Sequence, residues 1–557
     1  MPRGHSGRWG QVRRTSGHRP VIDLHSVTGP LIVPVVRNHV QRLPAVTGNR
    51  WLIQGNDVVL PGLNQECVAF DSASMRETHA PSPGTLVELK RARHTQSAPS
   101  PGSTASSNWA WDGSVLSCRT SSNGYRPLYY SYDSGQMVAT GSLMQCRRLV
   151  SDRSVDWTNV VLFLALGQFV EDLTLFSSIR ALPAASSLRW KDGEAPSIAE
   201  QRVPPVCTDG VGSVTAMSHY DKLVLSALEQ CSPLGDCALG LSGGRDSRHI
   251  LLGLLQSGRR PSRVLTSHHY LGEASAIDVE VACSVADALN LPIETVLPPK
   301  NCVAAELVKN QVIEFQSLSH SWGLGLADAV EGEATLLDGM NGGVLFGRSG
   351  LVRHVRSQIG ECLADWETLE KLAVEWLFDV PVAALVGFVS PSILSSEKID
   401  LARAQLVASL RKYADYPNPL QAFLYFNHTA RDTSCFTYGM MKAGNVICPL
   451  NDPELVNWAL GLPWRISSLP TFQSDAILRH YPETGHIPFE EQYQPSTSAF
   501  QRDLKAEKST IKKLLRNGGR SVVTRKGAKA LLSGRASLKQ IQVFAYLSQL
   551  TALIDAE

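Results

Sequence analysis

Between residues 239 and 248 the chain reads Leu-Gly-Leu-Ser-Gly-Gly-Arg-Asp-Ser-Arg: a short apolar run, a pair of glycines, then polar residues that open a helix. This limits the chain to folds in which a buried strand hands over to a helix within a few residues. Gly243 and Gly244 let the backbone come close to an anion at that turn. The helix that follows points its unpaired N–H groups at the same place. Ser242 and Ser247 add hydroxyl donors. Asp246 repels a phosphate unless a divalent cation bridges the two, so the loop predicts a site for the pyrophosphate end of a nucleotide with Mg²⁺. It has neither the Gly-Lys-Ser/Thr of a P-loop nor the three spaced glycines of a dinucleotide fold. The plainer alternative is a tight strand-to-helix turn whose serines are incidental.

A chain of 557 residues calls for two or three domains. With 43% hydrophobic and 19% charged residues it has the composition of a folded chain. A net charge of +2 gives no general reason to expect a nucleic-acid or membrane partner. The 11 cysteines are scattered, with no C-x-x-C pair and no zinc spacing, which fits reduced thiols and a cytoplasmic location. Val160–Leu166 is apolar but too short to span a membrane and reads as core. Arg3, Arg8, Arg13, Arg14 and Arg19 precede the first acid, Asp23, with no apolar signal region, so residues 1–25 read as a basic disordered arm.

Residues 26–195 read as β-rich, with short apolar runs at Leu31–Val36 and Trp51–Ile53 between Gly, Pro and Asn turns. Ser97–Ser107 reads as a loose loop and 196–214 as a polar linker. From 215 onward the pattern changes to helices alternating with short strands, as in a parallel α/β sheet. Helices are expected at His219–Gln230, Arg248–Gln256 and Ala276–Leu289. Strands are expected at Cys237–Leu241, Arg263–Thr266, Ile293–Val296 and Ala334–Leu337. The rest is expected to be mostly helical, with a basic last stretch.

The Ser242–Ser247 loop resembles the pyrophosphate-binding loop of the N-type ATP pyrophosphatases, which include asparagine synthetases, β-lactam synthetases and lasso-peptide cyclases. Two later stretches follow in the family's order. Leu336–Gly347 (Leu-Leu-Asp-Gly-Met-Asn-Gly-Gly-Val-Leu-Phe-Gly) is similar to the segment that lies beside the nucleotide. Cys448–Val456, followed by Leu460-Gly461-Leu462-Pro463, is similar to the Pro-Phe-Leu-Asp-x-x-Leu-Val segment and its Leu-x-Leu-Pro close. Residues 125–190, with Arg126-Pro127-Leu128-Tyr129 and Thr174–Pro183, are partly similar to the end of the glutaminase domain of asparagine synthetases. The resemblance implies an α/β fold: a class II glutamine amidotransferase-like domain over 26–195, then a parallel-sheet ATP pyrophosphatase domain (adenine nucleotide alpha hydrolase-like) over 215–557 with a helical C-terminal part. It implies ATP and Mg²⁺, with Ser242, Asp246 and Ser247 in catalysis. Leu241, Ser242, Gly243, Gly244, Asp246, Ser247, Thr266 and Gly339 would contact the nucleotide, and Asp246 and Asp338 the metal. The reaction implied is attack of a carboxylate on ATP, release of pyrophosphate, and capture of the acyl-adenylate by an amine.

The chain departs from the family in four places. Residue 2 is Pro2 and no cysteine precedes Cys67, so no glutaminase activity is expected. The family's catalytic Glu or Tyr position falls on Met340, which cannot take a proton. Its second acidic metal position falls on Gly343, leaving Asp338 as the substitute. Its pyrophosphate-stabilising lysine has no clear counterpart, so Arg479, Lys505 or Lys508 would stand in. His249, His268 and His269 are candidate bases, though a histidine at such positions is more often packed or hydrogen-bonded. The expected function is an ATP-dependent amide ligase acting on an acid and an amine substrate, such as a precursor peptide that carries its own amine, in the manner of a lasso-peptide cyclase. Ammonia-dependent amidation of aspartate is one alternative, and a non-catalytic nucleotide-binding scaffold is another.

Overall fold

The computed structural model describes residues 114–133, 135–231, 237–493 and 500–555, together with the backbone of three strands at 52–54, 67–70 and 108–111. The expected basic arm, the Leu31–Val36 run and the Ser97–Ser107 loop lie outside the described residues.

Two antiparallel sheets make up the first part. One has the order β1-β2-β6-β5-β7, from Leu52–Gln54 (β1), Cys67–Phe70 (β2), Tyr129–Asp133 (β5), Gln136–Thr140 (β6) and Arg180–Ala181 (β7). The other has the order β3-β4-β8-β9, from Asn108–Trp111 (β3), Val115–Arg119 (β4), Ser186–Lys191 (β8) and Ser197–Glu200 (β9). Alternation explains the layering. Leu116 and Cys118 of β4, Leu188 and Trp190 of β8, Tyr130 of β5 and Met137 and Ala139 of β6 share one core between the sheets. Tyr129 and Val138 point the other way, into a core shared with the helices Leu143–Leu149 (α1) and Trp157–Leu166 (α2). The Val160–Leu166 run is therefore buried helix, as its apolarity requires. Strand β9 lies where a linker is expected; its pairing with β8 carries the β-rich region to Glu200.

The second part is built on a five-stranded, wholly parallel sheet. Its strands are Ala238–Gly240 (β10), Arg263–Ser267 (β11), Ile293–Val296 (β12), Thr335–Leu337 (β13) and Asn445–Ile447 (β14), in the order β12-β11-β10-β13-β14. Both faces are covered, as a parallel sheet requires. Ala238, Leu265, Val296 and Leu336 face one core; Leu239, Val264 and Leu337 face the other. Connecting helices include Ser213–Gln230 (α3), Asp246–Gln256 (α4) and Glu273–Ala288 (α5). Beyond β13 the chain is largely helical.

Residues Asn49–Glu557 form one compact unit. Single polar groups tie its two parts together. Glu314 accepts from Ser142 Oγ and from the Leu143 N–H at 2.6 Å, capping α1. Arg431 donates to the Glu171 carbonyl at 2.7 Å. Tyr125 donates to Asn451 Oδ1 at 2.8 Å, within the third family-like stretch. In that stretch Asp452 N-caps the Pro453–Leu460 helix by accepting from the Glu454 and Leu455 N–H groups at 2.9 and 3.2 Å. The cysteines whose side chains are described all carry free thiols. Among the described residues no helix is long and apolar enough to cross a membrane.

Candidate functional site

In the order β12-β11-β10-β13-β14 the connections run outward in one direction through β11 and β12 and in the other through β13 and β14. The reversal falls between β10 and β13, and the crevice beyond the carboxyl ends of such a strand pair is where open α/β sheets bind ligands. The loop after β10 holds Leu241–Arg245; the loop after β13 holds Asp338–Asn341. The two most informative stretches of the sequence, about a hundred residues apart, thus meet at the switch point.

Their approach is close enough to need glycine. A β-carbon at Gly339 would lie 2.7 Å from the Ser247 nitrogen, and one at Gly342 would lie 2.6 Å from Asp246 Cγ and from Gln473 Nε2. Gly243 backs onto α5, where a β-carbon would lie 2.8 Å from the Asp278 carbonyl oxygen.

The loop's polar groups are partly satisfied from within. The Ser242 N–H donates to Ser247 Oγ at 3.0 Å, the two hydroxyls lie 3.1 Å apart, and the Gly244 N–H donates to Ser242 Oγ at 3.2 Å. The Gly243 N–H donates to Asp278 Oδ1 at 2.8 Å. Helix α4 starts without a side-chain cap. Asp246 accepts from Gln473 Nε2 at 2.6 Å and from the Gly343 N–H at 3.0 Å. Where the resemblance expects an acid, the chain therefore supplies a main-chain N–H to the acid already present. Asp338 accepts from the Met340 N–H at 2.8 Å.

These carboxyls are shifted together. Burial raises Asp246, opposed by Arg348, Gln473, the Gly343 N–H and Arg245. Burial pushes Asp338 up to about 6, against the Met340 N–H, with the Asp246 charge adding to the rise. Burial pushes Asp278 up to about 7 despite the Gly243 N–H. An acid raised by the charge of a second, at a loop rich in N–H donors, suits a bridging cation and a polyphosphate. Thr266, at the carboxyl end of β11, has a buried hydroxyl with no hydrogen-bond partner among the described residues, which suits a ligand contact. Asp246 and Asp338 would hold the Mg²⁺. Among the described residues no three His, Cys, Asp or Glu side chains gather around one metal position.

Other expected residues fall elsewhere. The Leu241 side chain is in the core, and its N–H donates to the Leu265 carbonyl at 2.7 Å, leaving its backbone as the only part suited to contact a nucleotide. Met340 is buried core as well. His249 is a core histidine, 2.9 Å from Asp221 and edge-on to Tyr220. His268 bonds Ser275 Oγ at 3.1 Å, and His269 is pushed down to about 4 by burial and by His268, so neither is charged at neutral pH. Arg479, Lys505 and Lys508 are exposed on helices. The cations at the loop are instead Arg245 and Arg348. Arg348 pairs with Glu490, and Arg245 lies 3.6 Å from the same carboxylate and over the Phe489 ring. Arg348 lies just past the Phe346-Gly347 end of the second stretch, and only the folding of that stretch onto α4 gives it a role. Asp278 and Gln473 carry no local sign of theirs.

No family model and no curated protein sequence matches this chain.

Proposed function

We propose that this protein is an ATP-dependent amide-forming ligase that activates a carboxylate as its adenylate and transfers the acyl group to an amine. One observation carries the reading: the Ser242–Ser247 loop lies at the sheet's switch point with Asp246 and Asp338 in electrostatic contact. The N–H groups opening α4 and the loop hydroxyls would stabilise the leaving pyrophosphate. Mg²⁺ on Asp246 and Asp338 would supply charge neutralisation there. In this reading the β-rich region is glutaminase-like, and the amine arrives on the substrate, as in lasso-peptide cyclisation, or as free ammonia with aspartate.

The test is Mg²⁺-dependent exchange of labelled pyrophosphate into ATP, with peptides carrying a free N-terminus and an Asp or Glu side chain, and with aspartate. Exchange that falls at least a hundredfold in Asp246→Asn is the expected result. A protein that neither binds ATP nor exchanges pyrophosphate across the panel refutes the reading. A scaffold that binds nucleotide without turnover is the second reading. It is favoured by the engagement of both Asp246 oxygens, with Gln473 and with Gly343, and it predicts ATP binding with no exchange.

A further inference from the structure

Met340 leaves the proposed ligase without the proton acceptor its chemistry needs, and the structure holds one that the expected motifs do not include. The helix Leu424–Thr433, whose turns are widened to the i→i+5 pattern, passes beside the loop after β13. Its Thr429 donates to Asn341 Oδ1 at 3.2 Å, three residues beyond Asp338. One residue before Thr429 is His428, and one turn after His428 is Asp432.

Asp432 is 3% exposed and is the hub of a polar cluster. It accepts from Ser317 Oγ and lies 3.3 Å from His320 Nε2 and 3.6 Å from His428 Nδ1. These partners hold its carboxyl well below the ordinary range despite burial. His428 Nδ1 also lies 3.5 Å from Gln168 Oε1. Both neighbours of Nδ1 are acceptors, so Nδ1 carries the proton and the lone pair sits on Nε2. Nε2 has no hydrogen-bond partner among the described residues, and 37% of the His428 side chain is accessible. Burial lowers the His428 pKa, so the ring is neutral at pH 7. The groups that act on it are Asp432 on its own helix, His320 on an earlier loop and Gln168 on the β-rich region, while Ser317 and Lys539 act on Asp432. Lys539 is pushed down to about 8 by burial while feeling the Asp432 charge. His320 in turn is felt at Asp338, which joins this cluster to the switch-point crevice.

We infer that His428, oriented by Asp432, is the proton acceptor for the attacking amine. The inference rests on the ligase reading above. As the amine nitrogen bonds to the acyl carbon, the bond from that carbon to the phosphate oxygen breaks and AMP leaves with the electron pair. The surplus proton on nitrogen passes to His428 Nε2. The imidazolium is stabilised by the Asp432 carboxylate, which stays ionised. Asp432 is a positioning residue; it acts through the ring.

The experiment compares wild type, His428→Ala, His428→Gln and Asp432→Asn in MgATP with the acid that supports pyrophosphate exchange. Amide formation from ammonium or a peptide amine is followed beside hydroxamate formation from hydroxylamine. Hydroxylamine is already unprotonated at neutral pH and needs less help. In both His428 variants, amide formation is expected to fall on the order of 10²-fold or more. Hydroxamate formation is expected to fall at least tenfold less, and added imidazole to restore part of the amide rate in His428→Ala. In wild type the amide rate rises with pH through one ionisation below the ordinary imidazole value; that limb disappears in His428→Ala and shifts in Asp432→Asn. Equal losses with both nucleophiles, or no loss, in variants that keep the wild-type melting temperature overturn the assignment and leave the ligase reading intact. Absence of exchange in wild type overturns both.

Discussion

Asp338→Asn tests the acid pair without needing a substrate. Burial, with the Asp246 charge adding to it, moves the Asp338 carboxyl from 3.8 to about 6. A carboxyl that titrates higher in the fold than in the unfolded chain keeps its proton longer in the native state. Its contribution to stability is therefore greatest below pH 4, declines as pH rises from about 4 to about 6, and stays low above that. At roughly 1.4 kcal/mol per pKa unit, ionised Asp338 costs about 3 kcal/mol at neutral pH and about half of that at pH 5. Asparagine keeps the shape and the Oδ1 that accepts the Met340 N–H, while removing the charge and the repulsion of Asp246.

The variant is thus expected to be more stable than wild type by about 3 kcal/mol at pH 7.5, with the gap shrinking to about half at pH 5. Urea unfolding in chelator at the two pH values reads this as a difference in midpoint at constant slope. Magnesium closes most of this gap if the pair holds a cation. At a hundredfold excess over its dissociation constant it adds about 2.7 kcal/mol to wild type, and much less to the variant. A variant less stable than wild type at pH 7.5, or a gap that does not change with pH, would refute both the placement of Asp338 and the coupling argued from it.

Gly342→Ala puts a β-carbon 2.6 Å from Asp246 Cγ and Gln473 Nε2, so the Asp246 carboxylate must swing away and lose its two partners. With each hydrogen bond to a charged group contributing about 1.5–3 kcal/mol, the expected loss is about 3–6 kcal/mol in urea unfolding, together with loss of ATP binding by calorimetry. Lys505→Ala with Lys508→Ala removes two exposed cations on the Leu504–Leu514 helix; stability is expected to change by less than about 0.5 kcal/mol and ATP affinity less than twofold. Arg348→Ala removes the charge that holds down Asp246 and Asp278 and is expected to weaken ATP binding at least tenfold in the same calorimetric assay.

What the sequence made legible was local. Ile293–Val296 is the strand expected from its residues, and β11, β13 and α4 fall within two residues of expectation, because apolar runs and a glycine turn decide them without outside help. Strand β14 is three residues long, and Asn445–Ile447 has no pattern of its own. It is a strand because β13 offers an open edge, with Thr335 opposite Asn445 and Leu337 opposite Ile447. The same pairing places the Asp338 N–H on the Ile447 carbonyl at 3.0 Å, which fixes the start of the loop that carries the second acid. Strand β9 shows the converse: every residue of Ser197–Glu200 is exposed and the segment reads as linker, and only its register against β8 makes it strand.

The site itself separates into what a motif can state and what only a fold can assemble. Gly243, Gly339 and Gly342 are legible as glycines, but the reason for each is a residue far away: Asp278, Ser247 and Asp246 in turn. Asp246 shows this most sharply. Read along the chain it is a metal ligand; in the fold it also caps the second loop through Gly343 and is steadied by Gln473, 227 residues on. Those two roles are compatible, since each carboxylate oxygen keeps a second lone pair. A cation on Asp246, as proposed, would share that carboxylate with the Gly343 N–H, so that metal binding and the order of the second loop would be coupled. At Gly343 it is a main-chain donor that faces Asp246 and helps to hold it in place.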